Sequence, residues 1–145
     1  MTKFIGIDPG SKRIGLARGD ELGLATPLAA LLQPDEKIRW QALLDVITRE
    51  KADEIVLGYP LNMDDSVGPK AKESEKMASR LREELGIPVH LVDERLTSHE
   101  AEATVRGGDL RGIRASGVVD SRAAALILQD YLDLRYPPVL PEEDW

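Results

Sequence analysis

Residue types that often carry chemistry are scarce in this sequence. It contains no cysteine, and its two histidines are His90 and His99. Without thiols the chain forms no disulfide and has no thiolate nucleophile, and a structural zinc site is not expected. A metal site rich in imidazole is not expected either, and neither histidine is assigned a catalytic role. Catalysis must therefore use carboxylates, hydroxyls, amides and basic side chains.

Long hydrophobic runs are also missing. The longest uninterrupted apolar run covers residues 123–128, whereas a membrane-spanning helix needs about 20 apolar residues. Residues 1–6 lead directly into a strand pattern and lack the layout of a secretory signal peptide. We therefore expect a cytoplasmic protein with no membrane partner.

The length and composition are typical of one soluble globular domain. The chain has 145 residues, of which 42% are apolar and 31% are charged. Three prolines within residues 137–141 prevent a regular helix there. We expect residues 1–136 to form a single domain and residues 137–145 to form a proline-rich, acidic tail that is poorly ordered.

The net charge argues at first against a nucleic-acid partner. The formal charge is −7, with 19 basic and 26 acidic side chains. Three of the acids, Glu142, Glu143 and Asp144, lie in the tail, and without the tail the charge is −4. Metal ions and local basic patches can offset acidic surroundings, so the charge weakens this partner class without excluding it.

The hydrophobic periodicity predicts an α/β fold. Period-two patterns predict five strands, at residues 3–8, 13–18, 22–28, 54–59 and 87–93. Helical spacing predicts helices through residues 35–47, 74–85, 97–106 and 118–135. The short turns between the first three strands make them an antiparallel meander, and the helix-linked last two strands should be parallel. The result is a mixed five-stranded sheet with helices on both faces.

Acidic residues stand at the ends of three apolar elements. Asp8 ends the first strand, Asp93 and Glu94 end the fifth, and Asp120 lies at the start of the last helix. Adjacent strand residues point to opposite faces, so only one of Asp93 and Glu94 can share a face with Asp8. Carboxylate oxygens suit Mg²⁺ or Mn²⁺, and two such ions can clamp a phosphodiester undergoing cleavage.

Each acid also has a purely structural interpretation. Asp8 could cap its own turn, and Asp120 could be stabilised at a helix N-terminus by capping and the helix dipole. Asp93 and Glu94 could mark the exit of the strand into water, with Arg95 as a surface ion-pair partner. The residues alone leave these alternatives open.

Basic and loop residues supply possible substrate contacts. Lys12 and Arg13 follow Asp8 closely and could reach a phosphate beside it. Residues 106–114 combine three arginines with three glycines, which predicts a mobile basic lid or, alternatively, a solvated loop. Residues 59–66 leave the C-terminal end of the fourth strand, where α/β sheets favour ligands. The alternative for this loop is a connection that caps the next helix.

Four segments resemble the YqgF family of Holliday-junction-resolvase-like proteins, which are described as pre-16S rRNA nucleases. The segments are FIGIDPGSKRIGLA at 4–17, GYPLNMD at 58–64, VDERLTS at 92–98 and VDSRAAALILQDYL at 119–132. They occur in order over nearly the whole chain. The resemblance implies an RNase H-like fold and a Mg²⁺- or Mn²⁺-dependent nuclease that acts in the maturation of ribosomal RNA. The family also suggests a DNA-junction resolvase as an alternative, and a competing interpretation is an RNase H-like module that binds a ribosomal precursor without cutting it.

The resemblance also implies site residues. It assigns the catalytic and metal-binding carboxylates to Asp8, Glu94 and Asp120, although the fourth strand lacks the carboxylate that better-known junction resolvases carry. The candidate substrate contacts are Lys12, Arg13, Asn62, Arg95, Arg106, Arg111 and Arg114. The partner is a nucleic acid, either pre-16S rRNA or branched DNA, and the protein is expected to be a monomer or a homodimer. A junction cutter would need two active sites and hence a dimer.

Overall fold

A computed structural model of the chain describes residues 1–62, 64, 66–93 and 118–137. The strands are β1 (Lys3–Asp8), β2 (Ile14–Asp20), β3 (Thr26–Leu31), β4 (Glu54–Tyr59) and β5 (Val89–Asp93). The helices are α1 (Glu36–Arg49), α2 (Pro69–Leu85) and α3 (Val118–Arg135). The helix predicted at 97–106 and most of the predicted tail lie outside the described residues.

The five strands form one mixed sheet in the order β3-β2-β1-β4-β5. The β1–β2 and β2–β3 pairs are antiparallel, and the β1–β4 and β4–β5 pairs are parallel. This arrangement confirms the predicted meander followed by parallel strands. It also places the C-terminal ends of β1, β4 and β5 at the same edge of the sheet.

Helices cover both faces of the sheet, as predicted. On one face, Ile5 and Ile7 of β1 pack into a cluster with Leu43 of α1 and Leu81 of α2. On the other face, a second cluster contains buried residues from α3 and from the strands: Phe4, Ala17, Val56, Ala124, Ile127, Leu128 and Leu132. The alternating strand pattern therefore feeds two separate apolar layers.

The predicted helix ends are formed by the expected local chemistry. The Asp35 side chain accepts a hydrogen bond from the backbone N–H of Ile38 at 3.0 Å and caps α1. Helix α2 ends at Gly86, whose φ of 65° lies in the left-handed region that glycine adopts without a Cβ penalty. Both helix ends are thus explained by residue types visible in the sequence, a capping aspartate and a glycine that adopts a positive φ.

The third strand was predicted at the wrong residues. It was expected at 22–28 and lies at Thr26–Leu31, because β2 continues to Asp20 and the turn comes later. The Asp20 carbonyl accepts the N–H of Gly23 at 3.0 Å, and its carboxylate accepts the N–H of Leu22 at 2.9 Å. Leu22 is therefore held in the turn with 80% of its surface exposed. Its hydrophobic side chain imitated a strand residue in the sequence pattern.

In the part of the chain that the structure describes, no helix is both long enough and apolar enough to cross a membrane.

Candidate active site

The first turn of α3 lies directly on strand β2. A Cβ atom at Gly15 would be 2.0 Å from the carbonyl oxygen of Asp120 and 2.9 Å from the nitrogen of Ser121. The buried Ser121 hydroxyl accepts a hydrogen bond from the N–H of Leu16 at 3.4 Å. Only a residue without a side chain permits this backbone contact, so Gly15 sets the position of Asp120 against the sheet.

The same glycine is the cross-strand partner of Asp8. In the antiparallel β1–β2 pair, Asp8 is aligned with Gly15. Phe4 contacts Tyr131 of α3 with ring centroids 6.0 Å apart, and two residues along each strand return to the same face. Asp8 therefore lies on the α3 side of the sheet. Gly15 joins the two sequence-predicted carboxylate positions, Asp8 and Asp120, because it contacts both.

Asp120 is paired with a basic residue of the β1–β2 turn. Arg13 Nε donates a hydrogen bond to Asp120 Oδ2 at 3.0 Å. The side chains are 39% and 23% exposed, respectively, so the pair borders solvent. The sequence predicts that Arg13 reaches toward a phosphate, and the structure adds its contact with Asp120, the carboxylate that the family resemblance assigns to metal binding.

A cleft opens beside this pair. It has a volume of about 440 Å³ and is lined by Asp120, Arg13, Lys12 and Lys70, among others. Its charged lining residues are three cations, Lys12, Arg13 and Lys70, and two carboxylates, Glu73 and Asp120. The cleft therefore combines a carboxylate with positive charge, which is the chemistry needed to receive an anionic substrate next to a divalent cation.

Asp93 lies on the other side of the sheet from Asp8. Val89 of β5 packs into the α1–α2 layer, whereas Val92 packs on the α3 side. By alternation, Asp93 faces away from Asp8. Among the residues that the structure describes, no group of three histidine, aspartate or glutamate side chains could hold a metal ion. Glu94 lies outside the described residues.

Sequence comparison identifies the family. The RuvX family, described as Holliday junction resolvase, matches residues 2–134 of the chain. This chain belongs to the RuvX family. The match includes β1, β4, β5 and nearly all of α3, so all three carboxylate positions and the cleft lie within it.

Close relatives of this RuvX-family chain carry a common name. A protein of Opitutus terrae named "Putative pre-16S rRNA nuclease" is 62% identical over 140 residues, which cover 96% of this chain and 97% of that protein. A protein of Geobacillus kaustophilus with the same name is 41% identical over 134 residues, which cover 90% and 97% of the two chains. The relatives therefore match this chain over almost their whole length.

Solved structures confirm the fold. Thermus thermophilus RuvC in complex with a Holliday junction substrate has a TM-score of 0.56 at 18% identity and covers 94% of this chain and 97% of that one. A second Thermus thermophilus RuvC structure has a TM-score of 0.53 at 18% identity, with 92% and 96% covered. The RuvX-family chain thus has the RuvC-like, RNase H-like fold that the sequence motifs implied.

Asn62 forms hydrogen bonds within its own loop in this RuvX-family chain, and its contact with substrate stays a prediction. Its backbone N–H donates to the carbonyl of Ser66 at 3.0 Å, and its Nδ2 donates to the Ser66 hydroxyl at 2.9 Å. A Cβ at Gly68 would lie 3.0 Å from the Asn62 side chain. Asn62 and Ser66 therefore bridge the two ends of this loop. Ser66 does not cap α2, whose N-cap residue is Gly68 without a side-chain cap.

Several predicted substrate contacts cannot be placed. Four arginines, at positions 95, 106, 111 and 114, lie outside the described residues. The structure places Lys12 and Arg13 beside the cleft, and it leaves the basic segment at 106–114 as a prediction.

Sequence reasoning missed Arg39, which is 6% exposed. Its guanidinium donates hydrogen bonds to the carbonyls of Ser11 at 2.8 Å, Gln33 at 2.6 Å and Pro34 at 3.5 Å. Arg39 thereby ties the β1–β2 turn, which carries Lys12 and Arg13, to α1. A signal was available, because position 39 precedes Leu43 by four residues on the apolar face of α1.

Proposed function

We propose that this chain is a metal-dependent nuclease that hydrolyses phosphodiester bonds in the 5′-end processing of pre-16S rRNA. Membership of the RuvX family supports a hydrolase of this class. The names of its relatives support the choice of ribosomal precursor RNA. The observation that carries the proposal is the contact of Asp120 with Gly15, the cross-strand partner of Asp8.

The donor chemistry of the site fits Mg²⁺ or Mn²⁺. Asp8 and Asp120 offer carboxylate oxygens, which hard divalent cations prefer, and the chain has no cysteine to compete for a softer metal. When bound, the cation would lower the pKa of a water molecule and neutralise charge on the phosphate. We assign its ligands to Asp8, Glu94 and Asp120.

Glu94 rather than Asp93 is proposed as the third ligand. Asp93 faces the α1–α2 side of the sheet, away from Asp8. Glu94 is the next residue along the chain, and strand alternation favours the opposite face for it. β4 provides no carboxylate at its C-terminal end, where Gly58 and Tyr59 pair with Val92 and Asp93.

The basic residues of the site are proposed to bind and orient the phosphate backbone. Lys12, Arg13 and Lys70 line the cleft beside Asp120. Arg95 and the three arginines of residues 106–114 are proposed to complete the substrate contacts, with the basic segment closing over the backbone. Such a role in ribosomal RNA maturation places the protein in the cytoplasm, with residues 1–136 acting as one nuclease domain.

The proposal is tested by cleavage of a labelled precursor RNA with a 5′ extension, with and without Mn²⁺. Asp8→Asn and Asp120→Asn should each abolish cleavage while leaving the fold and RNA binding intact, because the amide keeps the size and loses the charge. Asp133→Asn is a matched control on the exposed side of α3. Wild-type cleavage rates in either site variant at saturating Mn²⁺ would contradict the assignment.

The family description favours one second candidate, a DNA-junction resolvase. A four-way DNA junction should be run beside the RNA in the same assay. Preferential cutting of the junction by a dimer, measured with the molar mass in solution, would replace RNA by branched DNA as the substrate. Binding of the RNA without cleavage of either substrate, at any Mn²⁺ concentration, would identify a binding module instead.

A further inference from the structure

A second cleft continues the one beside Asp120. It has a volume of about 400 Å³ and lies between α1 and α2. The two clefts share four lining residues: Gly10, Ser11, Glu73 and Met77. They therefore form one groove, which starts at Asp120, passes the β1–β2 turn and ends between the two helices. We call it the α1–α2 groove.

The α1–α2 groove is positive in a negative protein. Its lining includes six basic side chains and three acidic ones, a net charge of +3, whereas the whole chain carries −7. The basic side chains are Lys12, Arg13, Arg39, Lys70, Lys76 and Arg80. A cationic groove that leads away from a phosphodiester-cutting site is suited to a polyanionic strand.

Arg39 adds buried positive charge to this groove. Within the described residues, its hydrogen-bond acceptors are main-chain carbonyls, those of Ser11, Gln33 and Pro34. Carbonyls orient the guanidinium and do not cancel its charge. The charge therefore contributes to the potential of the groove even though the side chain is buried.

The far end of the groove has a flat, exposed cation. The guanidinium carbon of Arg80 lies 4.0 Å from the centroid of the Trp40 ring. The indole is fixed by a hydrogen bond from its Nε1 to Glu84 Oε2 at 2.8 Å. The Arg80 side chain is 54% exposed, and its Nε forms an ion pair with Glu84 Oε1 at 3.7 Å. Nucleobases stack on guanidinium planes of this kind, and here an aromatic ring supports the plane from below.

We propose that the α1–α2 groove binds a single-stranded segment of the nucleic-acid substrate next to the cleavage site. Lys70 and Lys76 contact its phosphates, and a base stacks on Arg80 above Trp40. A cleft of about 400 Å³ lies in the size range of small-molecule pockets, which suits a single nucleotide better than a duplex. The inference deepens the proposed function, since the strand in the groove continues from the phosphodiester to be cut.

Binding as a function of salt concentration tests the phosphate contacts. The probe is a fluorescent single-stranded RNA of twelve nucleotides, compared with the same sequence as a duplex. Lys76→Gln combined with Arg80→Gln should weaken single-strand binding about tenfold, through one lost phosphate contact and one lost stacking contact, and should lower the salt slope by about 0.7 for the phosphate that Lys76 contacts. Lys37→Gln combined with Lys72→Gln removes the same charge from exposed positions of the two helices outside the groove. This control should change the slope by less than half as much.

Equal effects of the two double variants would overturn the proposal, because general electrostatic attraction would then explain them. Equal loss of duplex and single-strand binding in Lys76→Gln/Arg80→Gln would overturn it too. Circular dichroism and the unfolding midpoint confirm that each variant is folded before binding is measured.

Tryptophan fluorescence tests the position of the base independently. The chain has two tryptophans, so Trp145→Phe leaves Trp40 as the single emitter. The single-stranded RNA should change the Trp40 emission at saturation, and the change should be lost in Trp145→Phe/Arg80→Gln. An unchanged spectrum with RNA bound would place the strand outside the groove.

These measurements separate the groove from the proposed reaction. Both are made with Asp8→Asn protein as well as with wild type, so they need no cleavage. If the binding and fluorescence results are as expected but the wild type cleaves nothing, the groove proposal is retained and the nuclease proposal is rejected. If the wild type cleaves the substrate but the binding and fluorescence results fail, the nuclease proposal is retained and the groove proposal is rejected.

Discussion

Arg13 and Asp120 form an ion pair across 107 residues of sequence, with Nε and Oδ2 3.0 Å apart. The pair ties the β1–β2 turn to the first turn of α3. It also places a cation on the carboxylate that we assign to the metal. A divalent ion bound at this site would therefore compete with Arg13 for the Asp120 carboxylate, so a change at Arg13 tests the proposed metal binding.

Replacing Arg13 should strengthen the binding of Mn²⁺. In Arg13→Gln, the Asp120 carboxylate no longer has a competing cation, so Mn²⁺ should raise the melting temperature more than in wild type. Without metal, the variant should lose no more than about 1 kcal/mol, because the pair is partly exposed. Arg18→Gln is the control, since Arg18 of β2 forms a separate ion pair with Glu50. A smaller Mn²⁺ shift in Arg13→Gln than in wild type would show that the two cations do not compete.

A methyl group at Gly15 should separate the two carboxylates. In Gly15→Ala the Cβ would lie 2.0 Å from the Asp120 carbonyl, so α3 has to move. We expect a loss of roughly 2–3 kcal/mol of unfolding free energy and, in the protein that still folds, a cleavage rate at least tenfold lower. Gly86→Ala is the control, because its Cβ meets nothing within 4 Å. It should cost about 1 kcal/mol through its positive φ and leave the rate unchanged. A normal rate in folded Gly15→Ala would show that the contact does not position Asp120.

Arg39 should be a major contributor to stability. Arg39→Met removes the donors from three carbonyls and should lower the free energy of unfolding by roughly 2–4 kcal/mol. Arg49→Met is an exposed control on the same helix and should change it by less than about 0.5 kcal/mol. Urea denaturation measures both. A loss below 1 kcal/mol in Arg39→Met would mean that water replaces the guanidinium.

The Glu54 carboxylate should give the protein a pH-dependent increment of stability. Its pKa is lowered, first by the hydrogen bond from Arg135 at 2.7 Å and then by that from His90, also at 2.7 Å. A carboxyl group with a depressed folded-state pKa stabilises the protein above its unfolded pKa of about 4.3, and this contribution disappears as the pH falls through the folded-state pKa. Glu54→Gln should therefore destabilise the protein at neutral pH and much less at about pH 2.

Chemical denaturation of both proteins across this pH range measures the difference. The exposed Glu83→Gln should show no such dependence on pH. A difference between wild type and Glu54→Gln that stayed constant from neutral to acid pH would show that the carboxylate charge is not what stabilises the cluster.

The arginines of residues 106–114 should contribute to nucleic-acid affinity through charge alone. Replacing Arg106, Arg111 and Arg114 by alanine should weaken binding similarly for all sequences and flatten the salt slope by up to about 2–3 units. Titrations at several salt concentrations decide this. An unchanged slope would place the substrate along Lys12, Arg13 and Arg95 instead.

The sequence alone carried most of the architecture, for local physical reasons. The period-two and helical patterns specify the strands and helices, and Asp35 and Gly86 mark two of the helix ends. The apolar faces of these elements then pack against each other on the two sides of the sheet. The pattern failed at Leu22, where an exposed leucine in a turn has the same hydrophobicity as a strand residue. β2 ends at Asp20, whose carboxylate accepts the N–H of Leu22 in a local turn, and the hydrophobic pattern alone did not place Leu22 inside that turn.

The site divides in the same way. The order of motifs, the position of Asp8 at the end of a strand and the position of Asp120 at the start of a helix were visible in the sequence, because each follows from the local hydrophobic pattern. Only the tertiary structure decided that the Asp120 backbone contacts Gly15 and that Arg13 forms an ion pair with Asp120. It also decided that Arg39 fixes the β1–β2 turn, which carries Arg13. Those contacts join residues up to 107 positions apart. They arise because α1 and α3 pack on opposite faces of the sheet. The volumes of the side chains and the distance of closest backbone contact together determine that packing.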